Sequence, residues 1–355
     1  MNTVSGRLLS QQLASPQFSD PAEVVSWFGA LQAQDPRSIR WAVAMRTRRP
    51  SFKAFEKSFN EGRIIRAHLL RCTWQIVPAE DYHWMRQVIY DKGLSVLNGW
   101  AAAGGHRLNQ SDKTRILSLI EKVLGERGCL TEQEITDYLR ANGVPEERLF
   151  YSFHLRMAEL EVLICSGPLA DKSTYMLVSQ RIGEATPFDK DDALGRLARK
   201  YFRSHGPATL EDFVWWSGLS GRDCKRGITV CGNALRTIKQ GGRVYYLHEE
   251  SRTKGFRSGN VLLLPSYDEY LIGYKSRDVV LHPDHAHHAH DKKGIFHHVV
   301  ALDGEIVGNW HPSAKDGGIS VFKDGLTLPE DGVKKSLEQY YATSGCRSPL
   351  GQGLG

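Results

Sequence analysis

The sequence predicts an α+β protein, helical over roughly its first 256 residues and β-rich beyond residue 258. Three observations carry this. Two stretches repeat the same order of helix, capped helix, helix and apolar strand, with their capping threonines, Thr131 and Thr209, 78 positions apart. Beyond Asn260 the chain breaks into short runs of aliphatic and β-branched residues, with an Asp-Gly turn between two of them. The composition, 41% hydrophobic and 24% charged over 355 residues, is that of an ordinary globular chain.

Each element has its own signal. Ser19-Asp20-Pro21 ahead of Val24, Val25, Phe28 and Leu31 is a helix start with proline in the first turn. Asp35-Pro36 closes that pattern, because the residue before proline disfavours the helical region. This places Leu31-Gln32-Ala33-Gln34 at or just past a helix end. Leu69 to Val77 is rich in β-formers and is closed by Pro78, and Pro78-Ala79-Glu80-Asp81 opens another helix. Lys113 to Leu124 and Ala193 to Phe202 are the first helices of the two repeats. Thr131 and Thr209 cap the second, with acids in the first turn. Glu147 to Glu161 and Gly221 to Ala234 are the third. Ser173 to Val178 and Gly242 to Leu247 are the closing strands.

Helix, helix-turn-helix and β-hairpin is the layout of a winged helix. The strand ending near Val77 points to a third, more divergent copy. The expected modules are 1–104, 105–186 and 187–256, then a β-rich module at 257–345 and a flexible tail at 346–355. In the β-rich module, Val261–Leu264, Val279–Leu281, Phe296–Leu302 and Glu305–Trp310 are short strands, and Asp303-Gly304 is a hairpin turn.

Several classes are disfavoured. No apolar run approaches a membrane span, and the residues from Met1 to Ser10 lack the layout of a signal peptide. The six cysteines form no C-x-x-C pair, which fits reduced thiols in a cytoplasmic protein and argues against structural zinc. No phosphate-cradling glycine loop, nucleotide fingerprint or Ser/His/Asp arrangement is evident. The cluster His282, His285, His287, His288, His290 and Asp291 invites a metal reading, but it lacks ordered ligand spacing and reads as an exposed loop. No metal or cofactor is expected. Trp215-Trp216 reads as core packing, with base stacking as the alternative. Asp268-Glu269 reads as structural, because neighbouring residues of a strand face opposite ways.

The charge is more telling. From Arg37 to Arg71 there are ten Lys/Arg against two acids, a local +8 in a chain of net +6. Such a concentration is the footprint of a polyanion-binding face. It begins beside Gln32-Ala33-Gln34. In an extended backbone the two glutamines point the same way and Ala33 the other. Their amides offer carbonyl acceptors and NH₂ donors to one point, enough to hold a water molecule in a fixed orientation. A carboxamide cannot take a proton from that water. Asp35 next door is a candidate base, or simply a turn residue.

Four blocks resemble the winged-helix DNA glycosylases of the AlkZ-like group. They are Leu31-Gln32-Ala33-Gln34-Asp35-Pro36-Arg37; Arg66-x-x-x-x-Arg71-x-Thr73 with Val77-Pro78-Ala79-Glu80-Asp81; Tyr267-Asp268-Glu269-Tyr270-Leu271-Ile272-Gly273-Tyr274; and Asp303-Gly304-x-x-Val307-Gly308-x-Trp310. The resemblance runs from about residue 5 to about residue 345. It implies three tandem winged helices and a small C-terminal β-barrel that present a basic surface to double-stranded DNA. It implies removal of alkylated purines or unhooking of interstrand crosslinks, with Gln32 and Gln34 placing the attacking water. Arg37, Arg40, Arg46, Arg66 and Arg71 are then the phosphate-binding candidates, with Thr73 and Gln75 among the DNA-contacting positions. Family members often carry histidine where this chain has Gln75.

The chemistry is consistent with this. N-glycoside hydrolysis passes through an oxocarbenium-like state. A cationic N7- or N3-alkylated purine already leaves readily, so aligning water can suffice. An Asp in place of the second glutamine would add a true base. The expectation is a monomeric, monofunctional glycosylase with duplex DNA as its partner and no obligate protein partner. The alternative is a non-enzymatic winged-helix DNA-binding protein, such as a transcriptional regulator. A third reading is a binding protein for small natural products.

Overall fold

The structure is a computed structural model, and it describes residues 2–103, 109–146, 149, 152–185 and 187–345. The tail expected at 346–355 and part of the helix expected from Glu147 lie outside the described residues. The chain divides into two compact units, residues 1–55 with 194–355, and residues 56–193. These boundaries differ from the serial modules read from the sequence. The N-terminal segment supplies Leu8, Leu13, Trp41, Ala44 and Met45 to the same hydrophobic core as Leu263, Val299, Ile306 and Leu337. Burying that apolar face outweighs proximity along the chain.

In the first unit, Asp20 caps the helix Pro21–Phe28 by accepting from the Ala22 N–H at 2.9 Å, and Gly29 ends it at φ 79°. Asp35-Pro36 does not close a pattern but opens one. Asp35 is the N-cap and Pro36 the first residue of the helix Pro36–Ala44. Proline fits there because its missing N–H would have no intrahelical partner. The second repeat is present as the helices Lys190–His205, Leu210–Ser217 and Gly221–Cys231, then the hairpin Leu235–Gln240 with Arg243–His248. Thr209 is the expected N-cap, and with Asp212 it forms a capping box.

Four antiparallel strands, in the order Ser320–Val321, Glu305–Asn309, Val299–Leu302 and Val261–Leu264, make the β-rich part. Asp303 and Gly304, at φ 51° and 92°, form the two-residue turn that pairs Leu302 with Glu305. The described strands form an open row with no barrel closure. Ser336 of the helix Glu330–Ser344 donates to the Val261 carbonyl at 2.6 Å, which places a helix along that outer strand. Covering an edge this way removes the need to close the sheet. The expected strand Val279–Leu281 is not among the strands; its residues stand in a turn.

The second unit opens with a hairpin in which Ile64–His68 pairs with Trp74–Pro78. Its tip, Leu70 to Thr73, is closed by Thr73 N–H donating to the Leu70 carbonyl at 3.2 Å. Arg71 and Cys72 both take positive φ, 55° and 56°. The first repeat follows as the helices Gln110–Arg127, Glu132–Ala141 and Phe153–Leu160 and the strands Ile164–Ser166 and Thr174–Leu177. Thr131 and Glu134 form its capping box. Ile120, Leu124, Ile135, Leu139, Phe153 and Ile164 share its core.

Candidate active site

Gln32 ends the two-residue strand Leu31–Gln32, between the cap of one helix and the N-terminus of the next. Ala33 is fully buried, Gln32 is 5% exposed and Gln34 is exposed. The middle residue therefore pins the backbone while Gln34 reaches solvent. The Gln32 backbone N–H donates to Glu269 Oε1 at 2.6 Å.

Asp35 is occupied by the helix it starts. Oδ1 accepts from the Arg37 N–H at 2.9 Å and Oδ2 from Ser38 Oγ at 2.7 Å. Burial pushes its pKa up, but the Ser38 hydroxyl and the backbone N–H groups of Arg37 and Ser38 more than offset this and hold it below the usual carboxylate value. A carboxylate so stabilised is a poor proton acceptor. Asp35, Arg37, Ser38 and Trp41 line a cleft of about 530 Å³ with His298, Trp310 and Tyr340 on other walls. Burial pushes the His298 pKa down, and Asp35 acts against that shift.

The basic residues divide into different environments. In the first unit Arg37 is exposed and Arg40 half-buried. Arg46 is completely buried and grips Asp268 through two bonds of 2.8 and 2.9 Å. It also donates to Gln11 and to the Ala42 carbonyl. The expectation that Arg46 binds phosphate is therefore corrected. A guanidinium with no exposed surface cannot reach DNA, and this one neutralises the buried Asp268 carboxylate. In the second unit Arg66 lies over the Trp74 ring at 3.8 Å and Arg71 stands at the hairpin tip. Gln75 is buried and donates to Thr73 Oγ1 at 3.1 Å. Direct DNA contact by the Gln75 side chain is thereby corrected to support of Thr73, which is half-buried.

Sequence reading missed the groups beneath the motif. Asp268-Glu269 is not in a strand; Asp268 caps the one-turn helix Glu269–Ile272. Glu269 Oε2 lies 3.1 Å from His205 Nε2 and accepts from Trp216 Nε1 at 3.2 Å. Burial pushes the His205 pKa down, partly offset by Glu269. Arg7 is buried 3.6 Å from Asp212 and lies over the Tyr274 ring at 3.7 Å. The Tyr267 to Tyr274 block was the only local hint, because it concentrates these groups without revealing their partners. The Trp pair divides, with Trp216 buried and Trp215 38% exposed. Along the histidine cluster, the His287 and His288 rings lie 3.8 Å apart, tilted by 40°, and His288 stacks on Phe322. Among the described residues no group of three or more His, Cys, Asp or Glu is placed to hold a metal ion. Nor, among them, is any helix long and apolar enough to cross a membrane.

The sequence model of the AlkZ-like DNA glycosylases matches residues 25–339. The chain belongs to the AlkZ-like DNA glycosylase family. It is 24% identical to the interstrand DNA cross-link repair glycosylase of Streptomyces sahachiroi, across 95% of this chain and 94% of that protein. The solved structure of Streptomyces sahachiroi DNA glycosylase AlkZ superposes with a TM-score of 0.83 at 21% identity, covering 98% of this chain and 96% of that one. At that identity the likeness establishes the shared fold. In this AlkZ-like chain the Gln32 backbone is held by a buried carboxylate of the same unit, Glu269.

Proposed function

We propose that this chain is a monofunctional DNA glycosylase that hydrolyses the N-glycosidic bond of alkylated, cationic purines or unhooks an interstrand crosslink, with Gln32 and Gln34 positioning the attacking water. The observation that carries the reading is the setting of the motif. Ala33 is buried, Gln32 is anchored through its backbone and Gln34 is exposed, while the neighbouring carboxylate of Asp35 is committed to capping. The amides assigned to orient water are then the exposed Gln34 and, nearly buried behind it at 5% exposure, Gln32.

In the proposed step the water oxygen attacks the sugar C1′ as the C1′–N bond breaks. The bonding pair leaves with the purine and neutralises its cationic ring. The surplus water proton passes to solvent. No strong base is required, because an alkylated purine is a good leaving group and the enzyme's contribution is alignment. A neutral purine has no such advantage, so the glutamine pair selects for charged lesions.

The two repeats are read as winged helices, with a third, divergent one at the N-terminus, presenting the protein to duplex DNA as a monomer. Arg37 and Arg40 of the first unit, and Arg66 and Arg71 of the second, are assigned to phosphates. Thr73, supported by Gln75, joins them.

The test is single-turnover release of base from a duplex holding one N7-methylguanine, scored as abasic sites. Wild type is expected to release base, and Gln32→Ala and Gln34→Ala to be slower by roughly a hundredfold. Equal rates in all three would remove the glutamines from the mechanism. A non-enzymatic regulator would instead release nothing and prefer one undamaged sequence at matched salt.

A further inference from the structure

We propose that Glu269 is the positioning residue of the glutamine motif, a buried carboxylate that fixes the direction of the Gln32 side chain by holding the Gln32 backbone. The inference rests on the functional reading of Gln32 and extends it to a residue 237 positions away.

The geometry is specific to a carboxylate. Glu269 is 2% exposed. Its Oε1 accepts from the Gln32 N–H at 2.6 Å and its Oε2 from the Trp216 Nε1–H at 3.2 Å. Both partners are obligatory donors. His205 Nε2 faces Oε2 at 3.1 Å, and its Nδ1 faces Ser204 Oγ at 2.8 Å, which fixes the ring from both sides. A glutamine at position 269 would match the side chain in shape. It carries one acceptor oxygen and one NH₂, so either orientation turns an N–H₂ toward Gln32 or toward Trp216. One buried donor then loses its partner, and the loss falls on the motif or on the indole that braces the carboxylate.

Glu269 is itself held in place. Its residue opens the one-turn helix capped by Asp268, and Asp268 is clamped by the buried Arg46. The Glu269 carbonyl accepts from Gln11 Nε2 at 3.2 Å, and Gln11 Oε1 accepts from Arg46 at 3.0 Å. Carboxylate, capping acid, arginine and Gln11 therefore form one framework behind Gln32. The peptide N–H of a residue lies one bond from its Cα, so anchoring it sets where the side chain departs. A shift of about 1 Å in a group that aligns reactants costs on the order of a hundredfold in rate.

The experiment is a cycle of four proteins: wild type, Glu269→Gln, Gln32→Ala and the double variant. Base release from an N7-methylguanine duplex is measured in single turnover, with affinity for the undamaged duplex and hydrogen exchange of residues 31–36 alongside. Glu269→Gln is expected to slow release at least tenfold, to leave DNA affinity within twofold and to speed exchange at the motif. In the Gln32→Ala background the same change should cost nothing further, because Glu269 acts through Gln32. Losses that multiply, or unaltered exchange, overturn the proposal while leaving the glycosylase reading standing. A wild type that releases no base removes that reading, and the proposal with it. Should Glu269→Gln fail to fold, Trp216→Phe keeps an aromatic side chain, though a smaller one, and deletes the indole donor. It is expected to slow release severalfold at unchanged DNA affinity, and a rate equal to wild type would refute the role.

Discussion

Arg46 sits in the most basic stretch of the chain, yet the structure predicts that its replacement is felt in stability and not in DNA binding. The guanidinium is fully buried and makes five hydrogen bonds, two to Asp268, two to Gln11 and one to the Ala42 carbonyl. Arg46→Met keeps much of the volume but leaves Asp268 buried without its counter-charge. Removing one partner of a buried pair costs about 3–5 kcal/mol. For a unit of this size each kcal/mol moves the melting temperature by roughly 2–4 °C, so a fall of about 6–20 °C is expected. Arg46→Met with Asp268→Leu removes both charges and should recover a large part of the loss. The second assay is the salt dependence of duplex binding. Each phosphate contact contributes about 0.9 to the slope of log K against log salt. Arg46→Met should leave that slope unchanged, whereas Arg37→Ala, at an exposed position, should lower it by about one with no change in melting. An Arg46→Met protein that melts with wild type and loses one unit of slope would refute the structural assignment.

Three further outcomes follow from particular residues. Burial pushes the His154 imidazole from 6.5 down to about 4. The unfolded chain therefore binds a proton near pH 6.5 that the folded unit takes up only near pH 4. Stability falls as pH drops between those values, by roughly 3 kcal/mol in all, and urea midpoints of His154→Asn should lack that part of the slope. Gly304 stands at φ 92°, and a Cβ there would lie 2.5 Å from Val4 Cγ1 and 2.7 Å from Tyr270 Oη. Gly304→Ala is expected to cost about 2–4 kcal/mol in thermal unfolding, and an unchanged melting point would contradict the turn geometry. At the hairpin tip, Cys72 holds a positive φ that favours glycine. Cys72→Gly relieves about 1–2 kcal/mol of backbone cost against roughly 0.5–1 of added chain entropy, so the urea midpoint should rise slightly. A clear fall would show that the Cys72 side chain contributes more than its backbone costs.

What the sequence made legible was local. The threonine caps of both repeats, the Asp303-Gly304 turn and the start at Asp20-Pro21 all rest on interactions within four residues, and all stand where they were expected. Asp35-Pro36 was misread because the same dipeptide can end one helix or begin the next. The deciding partners, the Arg37 N–H and the Ser38 hydroxyl, lie on its C-terminal side. Arg46 was misread for a different reason. Charge density along the chain treats every arginine as exposed, whereas burial depends on a carboxylate 222 positions away.

The same limit explains why Glu269 stayed hidden. Its chemistry is set by which donors reach it, and those come from Gln32, His205 and Trp216, three separate stretches of one unit. No local pattern distinguishes that carboxylate from Asp268 beside it, which faces a cation instead. Under the proposed mechanism a pair that only orients water would depend on placement, and the Gln32 backbone is held by a buried carboxylate far off in sequence. On that proposal, a substitution behind Gln32 slows the reaction while the glutamines and the arginines assigned to phosphates are all intact.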